Sequence, residues 1–163
     1  MEQLTLFGEK SNHYKYLIDA SAIISQKPSE PLRRSVMRGI WEHIDTLVNN
    51  KIIVTCSEIL DEINSDPFIE NWLKSVQLTV LEVDEDIQRN VIKVVTENPA
   101  LIDFKQMKSS GDAFLIATAM KHNLVIITEE KKNSPKKIPQ IACNMGVKTL
   151  NILELCEEMG KQF

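Results

Sequence analysis

The sequence predicts an α/β domain: a three-layer α/β/α sandwich around a parallel sheet of four to five strands. Three observations predict it. Short apolar runs alternate with helix-spaced segments from residue 15 onward, the pattern of strands joined by helical crossovers. Leu124 to Thr128 is apolar at four consecutive positions, as a strand covered on both faces requires. The 163 residues, 43% of them hydrophobic, suffice for one core without disulfide or metal support. No internal repeat, low-complexity tract or linker divides the chain, so one domain is expected over 15–163, preceded by an arm over 1–14 that lacks periodicity.

The elements follow in order. Residues 15–19, Lys-Tyr-Leu-Ile-Asp, form an apolar run ending in a carboxylate, hence a buried strand. Leu32, Val36, Ile40, Ile44, Leu47 and Val48 recur at helical spacing and predict a helix over 31–49, with Pro31 in its first turn. Ile52-Ile53-Val54 reads as a second strand, and Thr55 as the start of a helix carrying Ile59, Leu60 and Ile63 on one face. Asp66-Pro67 opens a further helix through Trp72 and Leu73, and residues 84–97 align Ile87, Val91, Val94 and Val95 on one stripe. Ala113 to Met120 is apolar nearly all round, so a buried helix is expected there. After the Leu124–Thr128 strand come a short helix over 138–145, a last strand over 147–150 and a closing helix over 151–161 with Ile152, Leu155 and Met159 inward.

Composition narrows the function classes. The formal net charge of −4 gives no general attraction to nucleic acid, so any such role must rest on local charge. No apolar run reaches the ~20 residues that span a bilayer, and Met1-Glu2-Gln3-Leu4 is no signal peptide, so a cytoplasmic protein without membrane contact is expected. Cys56, Cys143 and Cys156 are odd in number and widely spaced, and His13, His43 and His122 are scattered. Neither a disulfide framework nor a zinc site follows. G-x-S-x-G, G-x-G-x-x-G and Walker A sequences are all absent.

The carboxylates are more informative. Ligands of open α/β sheets bind outside the carboxyl ends of the strands. Asp19 closes the first strand, Thr128-Glu129-Glu130 closes the strand at 124, Glu58, Asp61 and Glu62 lie on the helix after the second strand, and Asp112 opens the buried helix. Each also has an ordinary reading. Asp112 can cap its helix with Ser109, Glu58 forms a capping box with Thr55, Asp61 and Glu62 border an apolar stripe, and Glu129 and Glu130 begin a charged loop. Gathering four acids at one edge is costly unless a cation joins them. Hard oxygen donors suit Mg²⁺ or Mn²⁺.

Taken in order, Tyr16-Leu17-Ile18-Asp19-Ala20-Ser21-Ala22, Ser57-x4-Glu62-Ile63, Gly111-Asp112-Ala113 through Ala119, and Val125-Ile126-Ile127-Thr128-Glu129-Glu130 resemble the PIN domain family. The likeness is greatest to small VapC-like toxins of toxin–antitoxin pairs and covers roughly residues 15–155. Lys137-Ile138-Pro139, Gly146-Val147 and the closing helix look like a particular PIN-like subgroup of unsettled role. The resemblance implies a metal-dependent endoribonuclease that hydrolyses single-stranded RNA with Mg²⁺ or Mn²⁺, paired with a cognate antitoxin and working as a homodimer. Asp19, Glu62, Asp112 and Glu130 match the family's catalytic, metal-holding acids, and Ser21 and Thr128 its auxiliary hydroxyls. At the fourth acid the family more often has Asp after Thr-Asn, so Glu129 stands beside Glu130 as a candidate.

Phosphates need cations, and ten of the 19 basic residues adjoin the acids. They are Lys27, Arg33, Arg34, Arg38, Lys105, Lys108, Lys131, Lys132, Lys136 and Lys137. All but Lys27 are expected to touch RNA, as a basic rim around an acidic centre. The competing readings are a non-catalytic PIN-like RNA-binding or scaffold protein and a DNA nuclease.

Overall fold

The computed structural model describes residues 13–99, 110–134 and 137–160. Five strands, β1 (Tyr16–Ile18), β2 (Ile53–Cys56), β3 (Thr79–Leu81), β4 (Val125–Ile127) and β5 (Thr149–Leu150), form one sheet in the order β3-β2-β1-β4-β5. Every pairing is parallel, with Tyr16 opposite Ile53 on one side and Val125 on the other. The α/β class and the parallel sheet are those the sequence predicts. Among the described residues the helices are α1 (Ala20–Ile24), α2 (Arg38–Asn49), α3 (Ser57–Ile63), α4 (Pro67–Ser75), α5 (Glu85–Glu97), α6 (Ser110–His122), α7 (Ile138–Asn144) and α8 (Ile152–Glu158).

Burial explains the central strands. Tyr16, Leu17, Ile18, Ile53, Val54, Ile126 and Ile127 are all inaccessible to solvent, as strands covered on both faces must be. Helix α6 buries Ala113, Leu115, Ile116, Ala117 and Ala119 and packs chiefly on α5. There the Asn90 amide donates to the Ala117 carbonyl (3.2 Å). Lys121 and His122 in the last turn of α6 complement its carbonyl end, and Asn123 at φ 55° turns the chain out of the helix. Tyr14 packs against the core, whereas residues 1–12 of the expected arm lie outside the described residues.

Several boundaries differ from expectation. The helix expected over 31–49 begins only at Arg38. Side-chain bonds hold residues 31–37 in turns instead: the Trp41 indole N–H donates to the Leu32 carbonyl (2.6 Å) and Arg34 reaches back to Gln26 and forward to Asp45. Val36, expected on the apolar stripe, is 59% exposed. Strand β2 runs on through Thr55 and Cys56, so α3 starts at Ser57. Thr55 therefore caps nothing. Its hydroxyl donates across the sheet to the Ile18 carbonyl (3.0 Å), which removes the capping box with Glu58. Strand β3 was not expected, and β5 is confined to two of the four residues expected for it.

The strand order places the topological switch beside β1. From β1 the chain adds β2 and β3 on one side, then returns to add β4 and β5 on the other. The crevice between the carboxyl ends of β1 and β4 is thus where such a sheet presents a ligand.

Candidate active site

Asp19 follows β1 directly and caps the backbone entry to α1 without a side-chain cap bond. Its amide donates to the Ile127 carbonyl (2.9 Å), locking it against β4. The buried carboxylate is held by two hydroxyls: Ser21 Oγ and Thr128 Oγ1 both donate to Asp19 Oδ2, at 2.6 and 3.0 Å. Those hydroxyls lie 3.1 Å apart and accept in turn from the next two amides, Glu129 N–H to Ser21 Oγ (3.0 Å) and Glu130 N–H to Thr128 Oγ1 (3.2 Å). Two short relays therefore run from the tip of β4 to one oxygen of Asp19. Oδ1 takes no hydrogen bond from the described residues.

The other acids face this point from separate elements. Asp112, in the first turn of α6, has its carboxyl pushed up to about 7, first by burial and then by the charges of Glu130, Asp19 and Glu62. Glu62 on α3 is raised too, by partial shielding of its carboxyl and then by Asp19, Glu130 and Glu58. Its carboxyl end leans over Gly111, where an added Cβ would stand 2.2 Å from Glu62 Oε1. Glu130 is raised by burial and by Asp19, against the lowering effect of the Ile138 amide and of Lys137. The four segments expected to deliver acids to one edge thus deliver them within electrostatic reach of one another. Among the described residues, however, no three His, Cys, Asp or Glu side chains are gathered tightly enough to ligate an ion together.

The two consecutive glutamates diverge. Glu130 Oε2 accepts from the Ile138 amide (2.9 Å) at the start of α7, and Glu129 Oε2 from the Ile152 amide (2.8 Å) at the start of α8. The Glu129 carboxyl is raised by burial and by Glu154, with no contribution from the other three acids. Of the pair, Glu130 faces the cluster. Sequence reasoning missed this anchoring, and it also missed the reason for Gly111. Glycine inside a helix costs about 1 kcal/mol relative to alanine, and its place in the first turn of α6 was the available signal.

The basic rim is thinner than expected. Arg34 is committed elsewhere: its guanidinium grips Asp45 with two bonds (2.8 and 2.9 Å), gives two more to Gln26 Oε1 and lies 5.6 Å from the Trp41 ring. That fastens the 26–34 turn to α2. Lys132 pairs with Glu154, and Lys27 with Asp66. Arg33, Arg38, Lys131 and Lys137 are exposed, and Lys137 is the described cation whose charge acts on both Asp112 and Glu130. Lys105, Lys108 and Lys136, like the expected cap Ser109, lie outside the described residues. The buried Cys56 thiol, pushed up to about 11 chiefly by burial, is not available as a nucleophile.

Fold and sheet topology define an α/β domain built on one all-parallel five-stranded sheet. A family model described as "Domain of unknown function (DUF4411)" matches residues 16–163, and the chain belongs to that family. No curated protein matches the chain. Among solved structures it is similar to PAE2754 from Pyrobaculum aerophilum, at 18% identity and a TM-score of 0.53, over 91% of this chain and 98% of that one. It is similar to FitAcB from Neisseria gonorrhoeae at 15% identity and a TM-score of 0.55, over 85% and 98%. DNA-bound VapBC from Salmonella typhimurium matches at 16% identity and a TM-score of 0.56, again over 85% and 98%. At these identities the likeness is one of fold. No helix among the described residues is long and apolar enough to cross a membrane.

Proposed function

We propose that the chain is a metal-dependent endoribonuclease that hydrolyses single-stranded RNA, and the toxin of a toxin–antitoxin pair. The observation that carries this reading is that Asp19, brought with Glu62, Asp112 and Glu130 from four segments to the switch-point crevice, adds its charge to the burial that raises the carboxyls of the other three. Glu62, Asp112 and Glu130, raised by burial and by neighbouring negative charge, are under-neutralised, and oxygen-only donors suit a hard divalent cation. A fold neighbour from Klebsiella pneumoniae, a toxin–antitoxin complex, supports the toxin assignment. With it come an antitoxin partner, a homodimer and a cytoplasmic location.

Asp19, Asp112 and Glu62, which stand too far apart to ligate an ion as placed, would close on Mg²⁺ or Mn²⁺ by side-chain adjustment, and the ion would supply a water of lowered pKa and neutralise charge developing on the phosphate. The chain's own part is orientation. Ser21 and Thr128 fix one oxygen of Asp19, and the other takes no hydrogen bond from the described residues. Glu62 is the adaptable member, since its carboxyl sits at the end of a flexible stem over Gly111. Lys137 offers the phosphate a cation at the rim. The test is cleavage of a single-stranded RNA with Mg²⁺, Mn²⁺ or EDTA by wild type and Asp19→Asn. Cleavage that needs the metal and Asp19 supports the reading. Cleavage indifferent to both, or none under any condition, sinks it.

A further inference from the structure

We propose that Glu130 is a positioning residue: its carboxylate anchors the first turn of α7 through the Ile138 amide, and so sets Lys137 beside the acids as a phosphate-contacting cation. The inference rests on the RNA-cleaving reading and departs from the assignment of Glu130 as a fourth metal-holding acid.

The geometry carries it. Glu130 Oε2 accepts from Ile138 N–H at 2.9 Å. Lys137 is the residue immediately before α7 and supplies no side-chain cap of its own, so this helix start is tied down by a side chain eight residues earlier. The Glu130 amide meanwhile donates to Thr128 Oγ1, which donates to Asp19. One residue thereby links the support of Asp19 to the placement of Lys137. Glu129 shows the same device without the acid cluster: its carboxylate anchors the Ile152 amide of α8 while its own amide holds Ser21. Neighbouring glutamates thus each hold a hydroxyl with the backbone and a helix start with the side chain. The extra methylene of Glu relative to Asp lengthens the reach toward that amide. Lys137 is exposed and has no ion pair among the described residues, whereas Lys132 is taken by Glu154.

The test is the affinity of the protein for a labelled single-stranded RNA in EDTA, where no metal contributes, with wild type, Glu130→Ala, Glu130→Gln, Lys137→Ala and the Glu130→Ala/Lys137→Ala pair. Removing a negative charge alone would tighten binding to a polyanion. We expect the reverse for Glu130→Ala: about fivefold weaker binding, on the order of one lost phosphate contact. Glu130→Gln, whose amide oxygen still accepts from Ile138, should recover the loss, and the double variant should bind no worse than Lys137→Ala. Glu130→Ala binding as well as wild type or better overturns the proposal, as does a Gln variant as weak as the Ala one. Absence of binding by wild type would count against the RNA reading itself. The anchor is then decided by hydrogen exchange at the Ile138 amide: faster in Glu130→Ala than in Glu130→Gln supports it, and equal rates overturn it.

Discussion

Glu62 Oε1 occupies the space that a side chain at Gly111 would fill, so the glutamate of α3 and the glycine of α6 define one steric unit. Gly111→Ala should therefore separate stability from function. Alanine gains up to about 1 kcal/mol of helix propensity, while its methyl pushes the Glu62 carboxyl aside. The expected outcome is a melting temperature no lower than wild type with Mn²⁺ affinity weakened about tenfold or more, the range seen when the setting of a ligand is disturbed. Unchanged Mn²⁺ affinity by calorimetry would place Glu62 outside the metal site.

On the proposed reading, Asp19→Asn, Glu62→Gln and Asp112→Asn should each lower RNA cleavage about 100-fold or more, because each removes a charge that would hold the metal. Glu58→Gln should stay within about threefold of wild type, the loss from a neighbouring charge rather than a ligand. Initial rates at saturating Mn²⁺ check this, and an inactive Glu58→Gln would exchange the roles of the two α3 glutamates.

The pH dependence of the metal-free protein follows from Asp112, whose carboxyl rises from an ordinary 3.8 to about 7 on folding. Its contribution to stability is fully present below the unfolded value. Between the two values the folded protein keeps a proton that the unfolded chain has lost, so stability falls as pH rises through that window. Denaturant midpoints in EDTA, from about pH 4 to about pH 8, should show wild type losing ground relative to Asp112→Asn. A constant difference would mean that Asp112 is not so buried among the other acids.

Metal should restore what this repulsion costs. At a hundredfold excess over Kd, Mn²⁺ should stabilise wild type by about 2.7 kcal/mol. Thermal melts of Asp19→Asn should show a much smaller gain. Equal shifts in both proteins would remove Asp19 from the metal site.

Arg34 is engaged within the chain. Its paired bonds to Asp45, which also accepts from the Trp72 indole (2.8 Å), tie the turn after α1 to α2 and α4. Arg34→Ala should lower stability by about 2 kcal/mol, the range for partly buried hydrogen bonds to charge. Arg34→Lys should not restore it, since lysine lacks the planar fork. The RNA affinity of folded Arg34→Ala should match wild type, and a selective loss of RNA binding would return Arg34 to the rim.

Legibility varied with the kind of signal. The β1 run and the all-round apolar α6 were plain in the sequence because burial on every side leaves no polar alternation to confuse the reading. Strand β3 was not, for Thr79-Val80-Leu81 is short, half-buried and paired on one side. The helix over 31–49 was over-extended because Leu32 and Val36 fall in phase with Ile40, while the bonds of Arg34 and Trp41 that hold residues 31–37 in turns join residues far from any local pattern. The acids of the site could be singled out because strand tips and helix starts are readable positions. Which glutamate faced them was not, since that depends on where the starts of α7 and α8 lie in space.

The place of β1 in the sheet also sets when the site can exist. Asp19 and the Thr128 hydroxyl that holds it are 109 residues apart in the chain, and β4 completes the second side of β1 only after β2 and β3 have been made. A nascent chain can therefore pair its first three strands while Asp19 still lacks its hydroxyl from β4 and Glu130 has not been added. Contacts of such long range form late, once the closure of the intervening chain has been met by packing. On the proposed reading, ribosome-bound chains stalled before β4 should bind no Mn²⁺ and cut no RNA, and activity should appear only as the last third of the protein emerges.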